Sequence, residues 1–101
     1  MFELIADIHT PQGTVGGATL GRLAEMTAVD LMRGAGAGVV AVDELDVRFL
    51  HKVRRGPLVS TGTVLGERAG ATTVRVEVTD SGDDDRLVTY ALAVCRSVRP
   101  S

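Results

Sequence analysis

A glycine-rich turn leads directly into a stretch of helical periodicity, and together they occupy residues 13 to 33. Successive side chains of an α-helix point about 100° apart, and this spacing gathers the apolar and small residues of the stretch on one arc. They are Leu20, Gly21, Leu23, Ala24, Thr27, Ala28, Leu31 and Met32. Arg22, Asp30 and Arg33 fall on the opposite arc, so we predict a helix with one face packed on a sheet.

Glu25 lies at the edge of the apolar arc, with Met32 on one side in projection and Val29 on the other. A carboxylate in that position is partly shielded from water by its neighbours. Of the acidic residues in the helix, Glu25 is therefore the one that we expect to be half-buried. The alternative is an exposed ion pair with Arg22, three residues earlier, of little energetic weight.

Composition limits the classes of protein to which this chain can belong. With 101 residues, 45% of them apolar, residues 1–101 make a single domain whose core is only marginally sufficient. A formal charge of −2 and a low aromatic content exclude the basic stripe and stacking platform of a nucleic-acid binder. One cysteine allows no internal disulfide, and no apolar run indicates a membrane span or a signal peptide. We therefore expect a cytoplasmic protein without a membrane partner.

Runs of β-type sequence fill the remainder of the chain. Alternating or continuous apolar character predicts strands over residues 2–8, 39–53, 58–68, 72–80 and 87–98. Glycine and proline make residues 9–17 an irregular loop, and Arg54-Arg55-Gly56-Pro57 is a turn. Gly62, inside a strand, indicates a bulge or a close approach. The order predicts an α+β fold: one long helix on a curved antiparallel sheet of about five strands, the last four pairing as a consecutive meander.

Three stretches of the sequence resemble one known family. Ahead of the helix stands Thr10-Pro11-Gln12-Gly13-Thr14-Val15-Gly16-Gly17-Ala18, and within the helix stands Leu23-Ala24-Glu25-Met26. The third stretch is Glu44-Leu45-Asp46-Val47-Arg48-Phe49-Leu50, followed by Arg54-Arg55-Gly56. These resemble the acyl-CoA thioesterases of the hotdog superfamily, in particular its phenylacetate-pathway and 4-hydroxybenzoyl-CoA thioesterase branches. The resemblance spans nearly the whole chain and implies the hotdog fold.

The resemblance also implies a function. Hotdog thioesterases are hydrolases that convert an acyl-CoA thioester to a free acid and CoA without a metal or redox cofactor, and they assemble as homodimers or homotetramers. Their active sites are built from two chains, so Glu25 of one chain is expected to face the glycine turn of the other. By the same resemblance the CoA phosphates meet basic residues at the mouth of the site. Arg54 and Arg55 are the candidates, with His51 and Lys52 beside them.

Two positions depart from the family pattern. An ungapped alignment places Gly16 where the family carries histidine and Thr10 where it often carries asparagine. Glu25, nine residues after Gly16, then occupies the acidic position of the family. A gap at the histidine would move that position to Ala24. We prefer the ungapped alignment because it keeps the glycine turn and the carboxylate in place together.

The residues themselves supply what thioester hydrolysis requires. The N–H groups of Gly17 and Ala18, at the helix start, are unpaired and are expected to polarise the thioester carbonyl. Gly16 allows the substrate to approach that closely, and Thr10 stands on the same loop as a further substrate-binding candidate. Glu25 is the candidate general base or nucleophile.

Other interpretations stay open at this point. A degenerate hotdog protein that binds acyl-CoA or a protein partner without turnover is favoured by the missing histidine. A hydratase or dehydratase needs a histidine with an acidic partner, a pattern that His9 and His51 do not form. Arg54 and Arg55 also fit a solvated turn, and Cys95, within a strand, is expected to pack in the core rather than act as a nucleophile.

Overall fold

The structure, a computed structural model, describes the backbone of residues 2–6 and both backbone and side chains of residues 17–98. It contains one helix and five strands: β1 (Phe2–Ala6), α1 (Gly17–Gly34), β2 (Val39–Phe49), β3 (Leu58–Arg68), β4 (Ala71–Asp80) and β5 (Arg86–Val98). The predicted α+β arrangement is confirmed, and each strand begins within one residue of its predicted start. Within the described residues, no helix combines the length and the apolarity needed to cross a bilayer.

Neighbouring strands of the sheet are antiparallel and follow the order β1-β3-β4-β5-β2. Short hairpin connections join β3 to β4 and β4 to β5, as the sequence predicts. The predicted pairing of β2 with β3 is wrong, because β2 pairs with β5 at the opposite edge of the sheet from β1. Residues 50–57, which connect β2 to β3, are long enough to carry the chain across the sheet, whereas a tight hairpin turn is not.

The apolar arc of α1 forms one side of the core. The helix face predicted from periodicity is buried, apart from the half-buried Gly21. It belongs to one hydrophobic cluster with residues of the sheet, where the fully buried apolar side chains are Leu58, Val74, Val76, Val78, Val88, Ala91, Ala93 and Cys95. The small side chains on β5 leave room for the helix to lie close to the sheet.

A polar contact inside this core joins α1 to β3. The hydroxyl of Thr27 donates to the Leu23 carbonyl at 2.8 Å and lies 2.6 Å from the hydroxyl of Ser60. Thr27 and Ser60 are both fully buried. Nearby, a Cβ on Gly62 would lie 3.3 Å from Cγ2 of Thr27. The close approach predicted at Gly62 is therefore confirmed, and the register shift of β3 lies further along the strand.

Apolar side chains remain exposed on β2 and α1. Val39 and Phe49, at the two ends of β2, are 59% and 54% exposed, and Met26 on α1 is 46% exposed. The sequence predicts that Phe49 faces the core with Leu45 and Val47, which are only half-buried themselves. Phe49 shares that face, since its ring lies against Gly17 of α1, but it is more exposed because β2 ends at this residue, four residues before its predicted end.

Candidate active site

The first turn of α1 is exposed at the surface of the described part of the chain. The helix begins at Gly17, and Gly17, Ala18 and Thr19 are all exposed. No acidic side chain lies in this first turn to neutralise the positive end of the helix dipole. A helix start of this kind binds an anion or polarises a carbonyl oxygen. The location of Gly17 and Ala18 is as predicted, while their role towards a substrate stays a prediction.

A cavity of about 310 Å³ opens beside this helix start. Its lining combines residues of α1 with the segment at the end of β2: Gly17, Leu20, Phe49, Leu50, His51 and Lys52. The Phe49 ring lies beside Gly17, since a Cβ on Gly17 would be 3.5 Å from the ring atom Cζ. The amides of Leu50 and His51 donate to the Val88 carbonyl, at 2.8 and 3.4 Å, and hold the segment against β5. Apolar, basic and N–H groups therefore meet in one cavity.

Glu25 is exposed on the outer side of α1 in the single chain. The expected half-burial is not found there, and Asp30 is instead the half-buried carboxylate of the helix. Among the described residues no ion pair joins Glu25 to Arg22. Glu25 follows Gly17 by eight residues, which corresponds to about 12 Å along the helix axis. A carboxylate at that distance cannot reach a carbonyl bound at the helix start of its own chain.

The turn that carries Arg54 and Arg55 is fastened to a buried carboxylate. Asp80, the last residue of β4, has no exposed surface. Its Oδ2 accepts hydrogen bonds from the backbone N–H groups of Arg54 at 2.7 Å and Arg55 at 3.0 Å, and its Oδ1 accepts one from Gly56 at 2.7 Å. Because these successive N–H groups point inward, the side chains of both arginines lie exposed on the surface.

Two effects oppose each other at Asp80. Burial raises the pKa of its carboxyl, but hydrogen bonds from the amides of Arg55, Arg54, Gly56 and Gly82 lower that pKa by more, so it ends below its ordinary value. The carboxylate is therefore charged at neutral pH, and the surrounding N–H dipoles replace the water that burial removes.

The sequence of β4 contains a signal for the burial of Asp80. The period of two that buries Val74, Val76 and Val78 continues to Asp80 and places it on the same inner face. The cavity beside Phe49 has no comparable signal, because it depends on where β2 ends and where the chain turns next.

Thr10, Gly16, Cys95 and His51 are the other residues singled out from the sequence. Thr10 and Gly16 lie outside the described residues. Cys95 is in the core, as predicted, where burial and the charge of Asp43 raise the pKa of its thiol. No carboxylate of residues 17–98 forms an ion pair with His51. In the described part of the chain, no three His, Cys, Asp or Glu side chains are grouped as they would be to hold a metal ion.

Comparison with solved structures identifies the same fold in other proteins. The Escherichia coli PaaI protein, from the phenylacetic acid degradation operon, has a TM-score of 0.81 and 12% identity, with 98% of this chain and 73% of that chain covered. A thioesterase from Thermus thermophilus, in complex with coenzyme A and Zn, has a TM-score of 0.78 and 15% identity over 97% of this chain and 84% of that one. A Bacillus halodurans protein solved with CoA has a TM-score of 0.78 and 14% identity over 94% of this chain and 66% of that one.

Sequence comparison identifies the family. No curated protein sequence matches this chain significantly. The family model described as the Thioesterase superfamily, however, matches residues 12–88, which is more than half of the chain. The match runs from the turn before α1 into β5 and so includes the helix start, Glu25 and the Arg54-Arg55 turn. The chain therefore belongs to the thioesterase superfamily, and its fold is the hotdog fold.

Proposed function

We propose that the protein is an acyl-CoA thioesterase, which hydrolyses an acyl thioester to a free acid and CoA. The observation that carries the proposal is the open first turn of α1, where the exposed Gly17 and Ala18 stand beside a cavity with apolar and basic walls. Membership of the thioesterase superfamily supports the chemistry. Two similar structures contain bound CoA, which supports CoA as the group that carries the acyl chain. The cytoplasmic location expected from the sequence stays a prediction.

The helix start acts on the carbonyl in this proposal. The thioester carbonyl oxygen accepts hydrogen bonds from the N–H groups of Gly17 and Ala18. As water attacks the carbonyl carbon, negative charge develops on that oxygen, and the N–H groups and the helix dipole stabilise it. The tetrahedral intermediate then collapses with cleavage of the C–S bond, which releases the free acid and the CoA thiolate. One such donor is worth about 10²–10³ in rate.

Glu25 is the proposed general base. Its carboxylate takes a proton from the attacking water and returns it to the departing thiolate. As a nucleophile, Glu25 would attack the carbonyl carbon itself and displace the CoA thiolate by cleavage of the C–S bond, and water would then hydrolyse the resulting anhydride to the free acid and the Glu25 carboxylate. In both versions Glu25 has to come from a second chain, because about 12 Å of helix separate it from Gly17 of its own chain.

β2 is the element through which we propose that two chains join. It is an edge strand of 11 residues, and its outer N–H and C=O groups have no strand partner among the described residues. Val39, Phe49 and Met26 add exposed apolar surface on β2 and α1. Antiparallel pairing of β2 with its copy would continue the sheet across a twofold axis and bring the two α1 helices together. The homodimer is therefore the proposed active unit, and a homotetramer would contain two such dimers.

The basic segment after β2 is the proposed binding site for the CoA phosphates. His51 and Lys52 line the cavity, and Arg54 and Arg55 follow on the turn that Asp80 holds. Guanidinium groups suit this role because they pair with phosphate oxygens through two parallel hydrogen bonds. With the thioester at the helix start, the pantetheine arm would pass Phe49 towards this turn.

Binding without turnover is the second candidate function. It is favoured by the exposure of Glu25 in the single chain and by Gly16 at the position where the family carries histidine. A protein of this kind would hold acyl-CoA in the same cavity and at the same basic turn. The two candidates differ in whether the carboxylate of Glu25 is needed for thiol release.

Thiol release from short, long and aromatic acyl-CoAs tests the proposal. Glu25→Gln keeps the size of the side chain and removes its basicity. We expect its rate to fall by about a hundredfold or more, the scale of a lost general base. Glu67→Gln, the same change at an exposed position at the far end of β3, is the matched control and is expected to keep the wild-type rate.

Two other outcomes would contradict parts of the proposal. No release from the wild type, with acyl-CoA still bound, would establish the binding function and exclude the enzyme. Release at the same rate in the wild type and in Glu25→Gln would leave a thioesterase but exclude Glu25 as its base.

A further inference from the structure

The exposed turn after β2 is fixed at several points along its backbone. Residues 54–56 are bonded to Asp80 through three N–H groups. On one side of them, Val53 is only 4% exposed and packs in the hydrophobic core. On the other side, the Pro57 carbonyl accepts hydrogen bonds from the N–H and the hydroxyl of Ser81, at 3.1 and 2.8 Å. The turn is therefore held at both ends and in the middle.

Two glycines allow this turn to fit against the loop between β4 and β5. Gly56 has a φ of 69°, in the left-handed region that residues with a side chain disfavour. Gly82 packs so closely that a Cβ there would collide with the Gly56 carbonyl oxygen and lie 2.7 Å from Cβ of Arg55. The loop that follows Asp80 thus supports the turn from behind.

The buried carboxylate of Asp80 orients the backbone of the turn, which an apolar side chain at the same place could not do. Burying a charge is costly unless hydrogen bonds compensate for it, so an apolar side chain would be the simpler way to attach a loop. A carboxylate, however, gathers successive N–H groups on one point and thereby fixes the direction of the backbone that carries them. The side chains of Arg54 and Arg55 then leave the turn on the solvent side, two and three residues beyond Lys52 of the cavity wall.

We propose that Asp80 is a positioning residue for recognition of the nucleotide end of the substrate, a proposal that rests on the thioesterase function proposed above. Asp80 fixes the backbone of Arg54 and Arg55 before any ligand binds. Phosphate groups therefore meet a turn that is already ordered, and less conformational entropy is lost on binding. In this way the protein selects thioesters carried on a phosphorylated nucleotide over the same acyl group on unphosphorylated pantetheine.

Calorimetric titration with CoA and with pantetheine tests this role. Neither ligand contains a thioester, so binding is measured whether or not the protein catalyses hydrolysis. Asp80→Asn keeps the shape of the side chain but replaces one acceptor oxygen by a donor group. Ser81→Ala removes one hydrogen bond from the exposed end of the same turn. Asp85→Asn, the same chemical change at an exposed site in the neighbouring loop, is the control.

We expect the wild type and Asp85→Asn to bind CoA about tenfold or more tightly than pantetheine. Asp80→Asn is expected to weaken CoA binding by about tenfold and Ser81→Ala by about threefold, the scale of one charge-assisted and one neutral hydrogen bond. Pantetheine binding should stay unchanged in both variants. Arg54→Ala should lose the preference for CoA in the same way.

Three results would overturn the positioning role: no preference of the wild type for CoA, an equal loss of affinity for both ligands, or an unchanged preference in the folded variants. If Asp80→Asn fails to fold, the ratio of CoA affinity to pantetheine affinity in Ser81→Ala is the test. Ser81→Ala is expected to fold because the Ser81 hydroxyl is exposed and only one hydrogen bond is lost. A wild type that binds CoA as expected but releases no thiol would overturn the proposed enzyme and leave the role of Asp80 standing.

Discussion

Asp80 lies in a small core where an unpartnered charge would be severely destabilising. Its two carboxylate oxygens accept hydrogen bonds from the N–H groups of Arg54, Arg55 and Gly56, all within 3.0 Å. Hydrogen bonds to an ionised acceptor are stronger than neutral ones. The same bonds make the turn dependent on the charge state of Asp80, because a protonated carboxyl offers fewer acceptor positions and one O–H donor.

The stabilising effect of Asp80 is therefore expected to depend on pH. Its pKa in the folded protein is lowered, so its contribution is fully present above the unfolded-state pKa of about 3.9 and is lost as the pH falls through the folded-state value. At pH 7 we expect Asp80→Asn to reduce the free energy of unfolding by about 2 kcal/mol. The gap between wild type and variant should narrow below about pH 4.

Urea denaturation followed by circular dichroism across this pH range measures that gap. Asp85→Asn, at an exposed site, should follow the wild type at every pH. A gap of constant size from neutral pH to pH 3 or so would show that the charge of Asp80 is not what stabilises the turn.

The sequence predicts whether a single residue is buried where helix or strand periodicity determines the side on which that residue lies. The inner arc of α1 and the alternation that buries Val74, Val76 and Val78 were both predictable on this basis. The exposure of Glu25 was not predictable in this way, since a residue at the edge of the arc can face either the core or solvent. The hydrogen bonds of Asp80 join residues more than 20 positions apart, which local patterns do not contain.

At the scale of elements, the distance between α1 and β3 is set by the absence of a side chain at Gly62. A Cβ there would lie 3.3 Å from Cγ2 of Thr27 and 3.7 Å from atoms of Leu31 and Val74. The neighbouring side chains would have to move by a few tenths of an ångström, in a core where close packing resists such shifts.

Gly62→Ala is therefore expected to be destabilising relative to the same change at Gly66. A Cβ on Gly66 meets nothing within 4 Å, so Gly66→Ala should be neutral or slightly stabilising through the lower entropy of the unfolded chain. We expect Gly62→Ala to be less stable than Gly66→Ala by about 1–2 kcal/mol. Thermal unfolding of the two variants at equal concentration measures the difference, and equal stabilities would show that the helix shifts without cost.

The elements themselves follow from the sequence, but one strand pairing does not. Turn residues and strand lengths predict the hairpins β3-β4 and β4-β5, because short connections leave few alternatives. The place of β2 depends on the path of residues 50–57, where Val53 enters the core and Asp80 binds the next three N–H groups. Those contacts exist only in the folded chain, so local sequence favours the simpler meander.

At the scale of the whole molecule, one chain contains only part of the proposed site. Gly17 with its cavity and Glu25 are about 12 Å apart along one rigid helix. The free edge of β2 and the exposed Val39, Phe49 and Met26 offer the surface on which a second chain would complete that site. In the proposed mechanism activity therefore depends on assembly, because a dissociated chain would keep the proposed oxyanion donors but would have no proposed base within reach.

Mixing two inactive variants tests this coupling. Glu25→Gln lacks the base, and Gly17→Pro lacks one N–H donor at a helix position where proline is tolerated. Each alone is expected to be nearly inactive. After exchange of subunits at equal concentrations, about half of the dimers are mixed and each has one intact site, so about a quarter of the wild-type thiol release should return. No recovery, with mixed dimers present by native mass spectrometry, would place the whole site in one chain.

The contact between Thr27 and Ser60 lies on the buried side of α1, whereas Glu25 lies on its exposed side. A hydrogen bond has a preferred direction as well as a preferred distance, so this buried pair, together with the apolar face of α1, helps to fix how the helix is rotated about its own axis. Glu25 lies on the exposed side of α1, away from that inner contact. Substitutions on the outer face can then change the chemistry of the helix without turning it.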